Sequence, residues 1–294
     1  MKTAVSASLL ALAVMAACAP APADSPEAIA ELDTDTAAPE APAVESPLDA
    51  AIASELRSPE EKARDQWRHP KETLEFLGVE PDDTVVEIWP GGGWYTNILA
   101  PWLASGGGKL VAVLFSPEGI DDAERVARIE TNNAKFKSNY TDPAFGTIDY
   151  SGFSANSGPL TEPGTADAVL TFRNIHNWMA SDFQADAVKA MYDALKSGGI
   201  LGVVEHRGNP AIEQDPKAKN GYVNENYAIK LFTAAGFELV GKSEINANPK
   251  DTKDYEQGVW TLPPTYRLGA TDRDKYAAIG ESDRFTLKFR KPLQ

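Results

Sequence analysis

Cysteine, histidine and basic residues are all scarce in this chain. Cys18 is the single cysteine among 294 residues, so no internal disulfide can form. There are three histidines, His69, His176 and His206. Their separations match no short metal-ligand spacing, so no metal site is expected, and only folding can bring them together. Lys and Arg number 28 against 43 Asp and Glu, a formal net charge of −15. With no stripe of bases interleaved with aromatics, nucleic acid is not an expected partner. There is no internal repeat of the kind that marks solenoids or propellers.

Long apolar runs are also missing. Leu9 to Ala17 is apolar but too short for a stable membrane span. With Lys2 before it and the small residues Ala16 and Ala17 at its end, it has the pattern of a secretory signal, residues 1–17. The stretch Met15-Ala16-Ala17-Cys18 resembles a bacterial lipoprotein box. That resemblance implies cleavage before Cys18, lipid attachment to it, and a place in the cell envelope facing the periplasm or exterior. The alternative is an ordinary signal with a cysteine near its end. Residues 18–46 then form a tether rich in Ala, Pro and acids. Its span from Ala19 to Ser46 holds seven acids and no base, too polar to order itself. Residues 47–294 form the folded part, still acidic with thirty-six acids against twenty-seven bases, and long enough for a large core.

The folded part is organised around Thr84 to Ala104, TVVEIWPGGGWYTNILAPWLA. Val85, Val86, Ile88 and Trp89 make a short apolar strand, which Pro90 stops for want of an amide hydrogen. Gly91, Gly92 and Gly93 follow, and a helical pattern begins at Trp94 and Tyr95. Strand, glycine turn and helix make the first unit of a doubly wound sheet, in which backbone amides face a ligand. Glu87 sits inside the apolar run, where a carboxylate needs a ligand or capping partner.

Other elements follow from the same signals. Helices are predicted over Leu48 to Leu56, from Ser58 onward, over Lys71 to Leu77, from Ser116 to about Lys135, from about Asp182 to Leu195, and over Asn224 to Ala235. Strands are predicted at Leu110 to Phe115, Ala166 to Phe172, Ile200 to Val204, Phe237 to Val240 and Arg284 to Phe289. Tyr140 to Gly164 is expected as a loop with one weak strand near Phe145 to Tyr150, and Asn246 to Arg267 as a polar, turn-rich segment. Alternating strands and helices indicate an α/β fold with a mostly parallel sheet. The last two strands have no clear helix between them, which suggests an antiparallel end.

VVEIWPGGGWY, the ADAVLTFRNIHNW strand end, the Gly198-Gly199 turn and the closing strand together resemble the class I S-adenosylmethionine-dependent methyltransferases, over roughly residues 60 to 294. The resemblance implies a doubly wound Rossmann-like sheet with an antiparallel C-terminal strand. It implies S-adenosylmethionine as cofactor, Glu87 near its methionyl group, and Gly91, Gly92 and Gly93 as the loop it passes. Two positions depart from the family. Trp89 replaces the first motif glycine; its indole either fills cofactor space or turns into the core, the favoured reading because it ends an apolar strand. Leu114 and Phe115 stand where an acid normally binds the ribose, and Glu118 either substitutes for it or is a first-turn helix acid.

Methyl transfer needs alignment and, for a hydroxyl or amine acceptor, removal of a proton. His176 is the candidate base and Asn174 the orienting amide. Trp94, Tyr95, Arg173, Trp178, Glu205, His206 and His69 are the candidate pocket for a small organic acceptor, and Arg68, Arg173 and Arg207 are candidates to steady an anionic group. Because S-adenosylmethionine is made in the cytoplasm, an exported chain of this kind has an alternative function: an inactive methyltransferase-like domain binding another small ligand. The sequence carries no signal of oligomeric state.

Overall fold

The computed structural model describes residues 46–293; the expected signal, Cys18 and nearly all of the tether lie outside them. Four short helices come first: α1 (Pro47–Ala53), α2 (Pro59–Lys62), α3 (Asp65–Arg68) and α4 (Pro70–Leu77). The first two start for a local reason. Ser46 and Ser58 each accept the amide three residues on, Asp49 and Glu61 return the bond, and a proline follows each serine. Such a box satisfies amides that the first helical turn leaves open.

The core elements then alternate. β1 (Thr84–Ile88) leads to α5 (Thr96–Gly106), β2 (Lys109–Phe115) to α6 (Ala123–Ser138), and β3 (Ile148–Phe153) to β4 (Ala166–Phe172). After β4 come α7 (Ile175–Ala180), α8 (Gln184–Ala194), β5 (Leu195–His206), α9 (Glu225–Ala234), β6 (Glu238–Ser243), α10 (Arg273–Ile279) and β7 (Arg284–Arg290). The seven strands form one sheet in the order β3-β2-β1-β4-β5-β7-β6. β1 pairs in parallel with both β2 and β4, and β7 runs antiparallel between β5 and β6. This is the expected Rossmann-like arrangement with its antiparallel C-terminal strand.

Successive residues of a strand face opposite sides of the sheet, so each strand serves two cores. Val86, Ile88, Val111, Val113 and Val169 face a core closed by α7, α8 and α9. Val85, Leu110, Ala112, Ala168 and Leu170 face a second one closed by α1, α4 and α5. Strands buried on both faces are continuous apolar runs, which is why β2 and β4 stand out in the sequence.

Four expectations need correction. The helix expected from Ser116 starts only at Ala123, capped by Asp122, so Glu118 is not a first-turn helix acid. The weak strand near Tyr150 is a full strand paired along β2 from Ile148 to Phe153. The stretch after β4, with no helix predicted, begins the six-residue helix α7. The connection between β6 and β7 contains α10, yet β7 still returns antiparallel. Both unpredicted helices are under eight residues, too short for apolar periodicity to announce them.

Candidate functional site

Open α/β sheets place ligands beyond the carboxyl ends of the strands, where the strand order reverses. Here that point lies between β1 and β4, and a cavity of about 330 Å³ opens there. The loop after β1 forms one wall. Gly91 and Gly93 take φ values of +62° and +85°, a conformation glycine adopts freely. Among the described residues, a Cβ at Gly91 or Gly92 would meet nothing within 4 Å, whereas one at Gly93 would collide with the Tyr140 hydroxyl. The first two glycines therefore leave the backbone open to a ligand, and the third allows the loop to close on Tyr140. A second cavity, about 340 Å³, begins on the same loop and runs past Leu114 and Phe115 to Asn132 and Asn133 of α6.

Glu87 lines the first cavity and is buried, with Thr96 Oγ1 donating to it at 2.6 Å. Burial pushes its carboxyl up to about 7, partly offset by that hydrogen bond.

Trp89 is in the left-handed region at φ +45°, a position that suits glycine. Its indole turns into the core. It is 7% exposed, stacks on Phe115 at 4.1 Å between ring centres, and meets Phe153, Trp178 and Phe183 at their edges or at a tilt. Its Nε1 donates to the Phe153 carbonyl at 3.2 Å.

The far wall comes from the ends of β4 and β5. Glu205, near the end of β5, is fully buried against the first turn of α7, and both of its oxygens are engaged. Its Oε2 accepts the amides of Ile175 at 2.7 Å and His176 at 3.4 Å, and its Oε1 accepts the amide of His206 at 2.8 Å. His176 Nδ1 stands 3.1 Å from the same Oε1. A carboxylate so placed can only accept, so the ring proton sits on Nδ1 and Nε2 keeps its lone pair. His176 lines the cavity. His206 lines it too, with Nδ1 2.5 Å from Ser282 Oγ. Burial, then the proximity of His176 and the charge of Arg173, pull His206 well below its ordinary pKa, so it is neutral. Asn174 spends its amide group on the Ile88 carbonyl at 2.8 Å and Thr171 Oγ1 at 3.3 Å, which ties the ends of β1 and β4 together.

His176, Glu205 and His206 offer ligand atoms within 4.8 Å of one another. Both Glu205 oxygens are already engaged, and Arg173, Arg284 and Arg68 all press on His206. The trio is therefore better suited to orienting His176 than to holding a cation.

The structure gathers Glu87, Gly91, Gly92, Trp94, Tyr95, Arg173, Asn174, His176 and His206 around the first cavity. Other candidates lie elsewhere. Trp178 is buried on the side of α7 that packs onto the sheet. Glu205 stands behind His176 as its orienting partner. His69 ends α3 in a left-handed conformation and does not line the cavity. Glu118 is exposed beyond β2, away from both cavities. Arg207 is turned to Glu225, Glu244 and Asp283.

Residues near the chain end complete the wall and were not singled out from the sequence: Trp260, Pro263, Pro264, Glu281 and Ser282. Polar groups of the turn-rich segment fix their loop. Asn248 Nδ2 donates to the carbonyls of Ile279 and Glu281, and Asp251 accepts the amide of Asp283. Glu281 is shared by Arg64, Arg68 and Arg284 at 2.6, 3.0 and 3.0 Å. Burial alone would raise its carboxyl; the charges of Arg284, Arg68 and Arg64 outweigh this and hold it at about 2.

Neither a protein-family model nor a curated protein matches the sequence. Solved structures do match. The [4+2]-cyclase SpnF is 18% identical, with 84% of this chain and 92% of that one covered at a TM-score of 0.50. A SAM-dependent methyltransferase from Aquifex aeolicus is 14% identical over 84% of this chain and 98% of its own, at 0.49. Human N-acetylserotonin methyltransferase, in complex with SAM, is 14% identical over 84% of this chain and 56% of its own, at 0.48. What this chain shares with SpnF is the fold, a Rossmann-like sheet flanked by helices.

Proposed function

We propose that the domain transfers a methyl group from S-adenosylmethionine to a small organic acceptor. One observation carries this reading: two cavities meet on the open backbone of Gly91 and Gly92, and the His176–Glu205 pair lies at the wall of the first. The residues present fit the cofactor. The space above Gly91 and Gly92 is what a Cβ would fill, and Glu87 is available on the methionyl side. Phe115, Asn132 and Asn133 line the side for the nucleoside, with amides in place of the family's acid. When bound, the cofactor supplies an electrophilic sulfonium methyl.

The chain's own work is alignment and removal of a proton. Tyr95 and Phe172, stacked at 3.6 Å, line the cavity together with Trp260, whose ring lies 6.1 Å from His176. His176 Nε2 takes the acceptor's proton. Glu205 fixes the ring and stabilises the imidazolium that results. Titration of the full chain with S-adenosylmethionine tests the reading: one site per chain is expected, and absence of saturable binding contradicts it.

One observation favours a second reading. The Trp89–Phe115 stack occupies the end of β2, where the family's ribose-binding acid would be. A domain that had given up the nucleoside would retain the first cavity for another small ligand, without methyl transfer.

Attachment to the cell envelope through Cys18 is part of the proposal. No helix among the described residues is long and apolar enough to cross a membrane. Wild-type protein is expected to partition with membranes in the native host and C18A is not; a wild-type chain that stays in the aqueous fraction refutes lipidation.

A further inference from the structure

The first cavity has an excess of guanidinium. Arg64, Arg68 and Arg173 line it, and Arg284 stands behind. Against them are Glu281, already shared by three of these arginines, and Glu61, which accepts the Ser58 amide and the Asn97 side chain. Glu87 is no counterweight, since burial favours its protonated form. The imbalance sits in a chain whose overall charge is −15.

Two of the guanidiniums have unused donors. Arg68 is 2% exposed, held against the Trp94 ring at 4.7 Å and by Glu281 at Nε, yet its Nη2 is buried without a partner among the described residues. Arg173 makes no side-chain hydrogen bond or ion pair among the described residues, although it lines the cavity from the end of β4. Its backbone is left-handed at φ +64°, and its amide is fixed to the Val204 carbonyl at 2.7 Å. The two cations influence each other: after burial, the Arg173 charge is the largest influence drawing Arg68 well below its ordinary pKa. Holding Arg173 beside Arg68, with Glu281 already shared among three arginines, in a partly desolvated space is unfavourable. A planar oxyanion removes the penalty, because guanidinium forks match a carboxylate in geometry and charge.

We propose that Arg68 and Arg173 form a carboxylate clamp, and that the acceptor is a small organic carboxylate with a flat apolar body. The body lies against Tyr95, Phe172 and Trp260, and the clamp fixes one end so that the group to be methylated faces His176. Naming the ligand an acceptor rests on the methyl-transfer reading; the clamp itself does not. The shared chemistry is a carboxylate, whose other source is the methionyl end of the cofactor.

Benzoate is the probe, titrated into the full chain with tryptophan fluorescence as readout. Saturable binding is expected. R173Q should weaken it at least tenfold, and R173K should restore only part, because Lys keeps the charge and loses the fork. R173Q should be about as heat-stable as wild type, since the guanidinium makes no hydrogen bond or ion pair among the described residues and relief of its repulsion with Arg68 offsets its longer-range attraction to Glu281. No saturable binding, or equal affinity in R173Q, overturns the clamp. Repeating the titration with saturating S-adenosylhomocysteine and with methylthioadenosine separates the sources. Benzoate binding that survives both assigns the clamp to the acceptor. Binding abolished by S-adenosylhomocysteine and not by methylthioadenosine assigns it to the cofactor and overturns the acceptor assignment. Benzoate binding without any S-adenosylhomocysteine binding keeps the clamp and removes the methyl-transfer reading.

Discussion

His176 Nδ1 lies 3.1 Å from Glu205 Oε1, and the same carboxylate accepts the amides of Ile175, His176 and His206. One buried acid thus starts a helix, joins the ends of β4 and β5, and sets the tautomer of the candidate base. With an acceptor that supports turnover, H176A is expected to lower kcat about 10²–10⁴-fold and to leave cofactor affinity unchanged. E205Q places a donor where only acceptors fit and is expected to destabilise the protein by about 2–5 kcal/mol. Urea unfolding with rate measurements checks both. A fully active H176A removes the base from the account.

Glu87 gives the site a pH signature. Its carboxyl titrates at about 7 in the folded protein against an ordinary 4.5. Between these values the folded state keeps a proton that the unfolded state has released, so this group's contribution to stability falls as pH rises. The loss is of order 3 kcal/mol across the window. Comparing wild type with E87Q between pH 4.5 and 7 isolates it: the difference between their unfolding free energies should change with pH in that direction. A pH-independent difference shows that the carboxylate is not held protonated.

Trp89 tests how the loop stays open. W89G removes a buried aromatic, costing about 3–5 kcal/mol, and relief of the left-handed backbone returns only about 1 kcal/mol. Thermal unfolding should show the loss, and S-adenosylmethionine affinity should not rise. Tighter binding in a folded W89G chain means that the indole competes for the cofactor's place.

The sequence made the scaffold legible where burial on both faces wrote continuous apolar runs, as in Leu110 to Phe115 and Ala166 to Phe172. The glycine turn was legible because Pro90 and Gly91 to Gly93 interrupt such a run. Arg173, Asn174 and His176 could be placed because they follow β4 directly. The other half of the wall was hidden. Glu281 meets Arg68 across 213 positions, and no local pattern records that meeting. Asn248 and Asp251 look like turn residues, yet they hold the Glu281 loop through its backbone. Glu205 looked like a pocket acid because its strand ends there; only the fold reveals that its oxygens are spent on amides and on His176. Trp178 looked like a pocket wall because it stands two residues after His176, and the turn of α7 carries it to the opposite side.

The central claim is that the Gly91–Gly92 loop still receives S-adenosylmethionine. Calorimetric titration of the full chain with the cofactor and with S-adenosylhomocysteine tests it most directly, with G92W, which fills the open space, as the control. One site per chain is expected for wild type and none for a folded G92W. Absence of saturable binding to either compound in wild type, or undiminished binding in G92W, would contradict it.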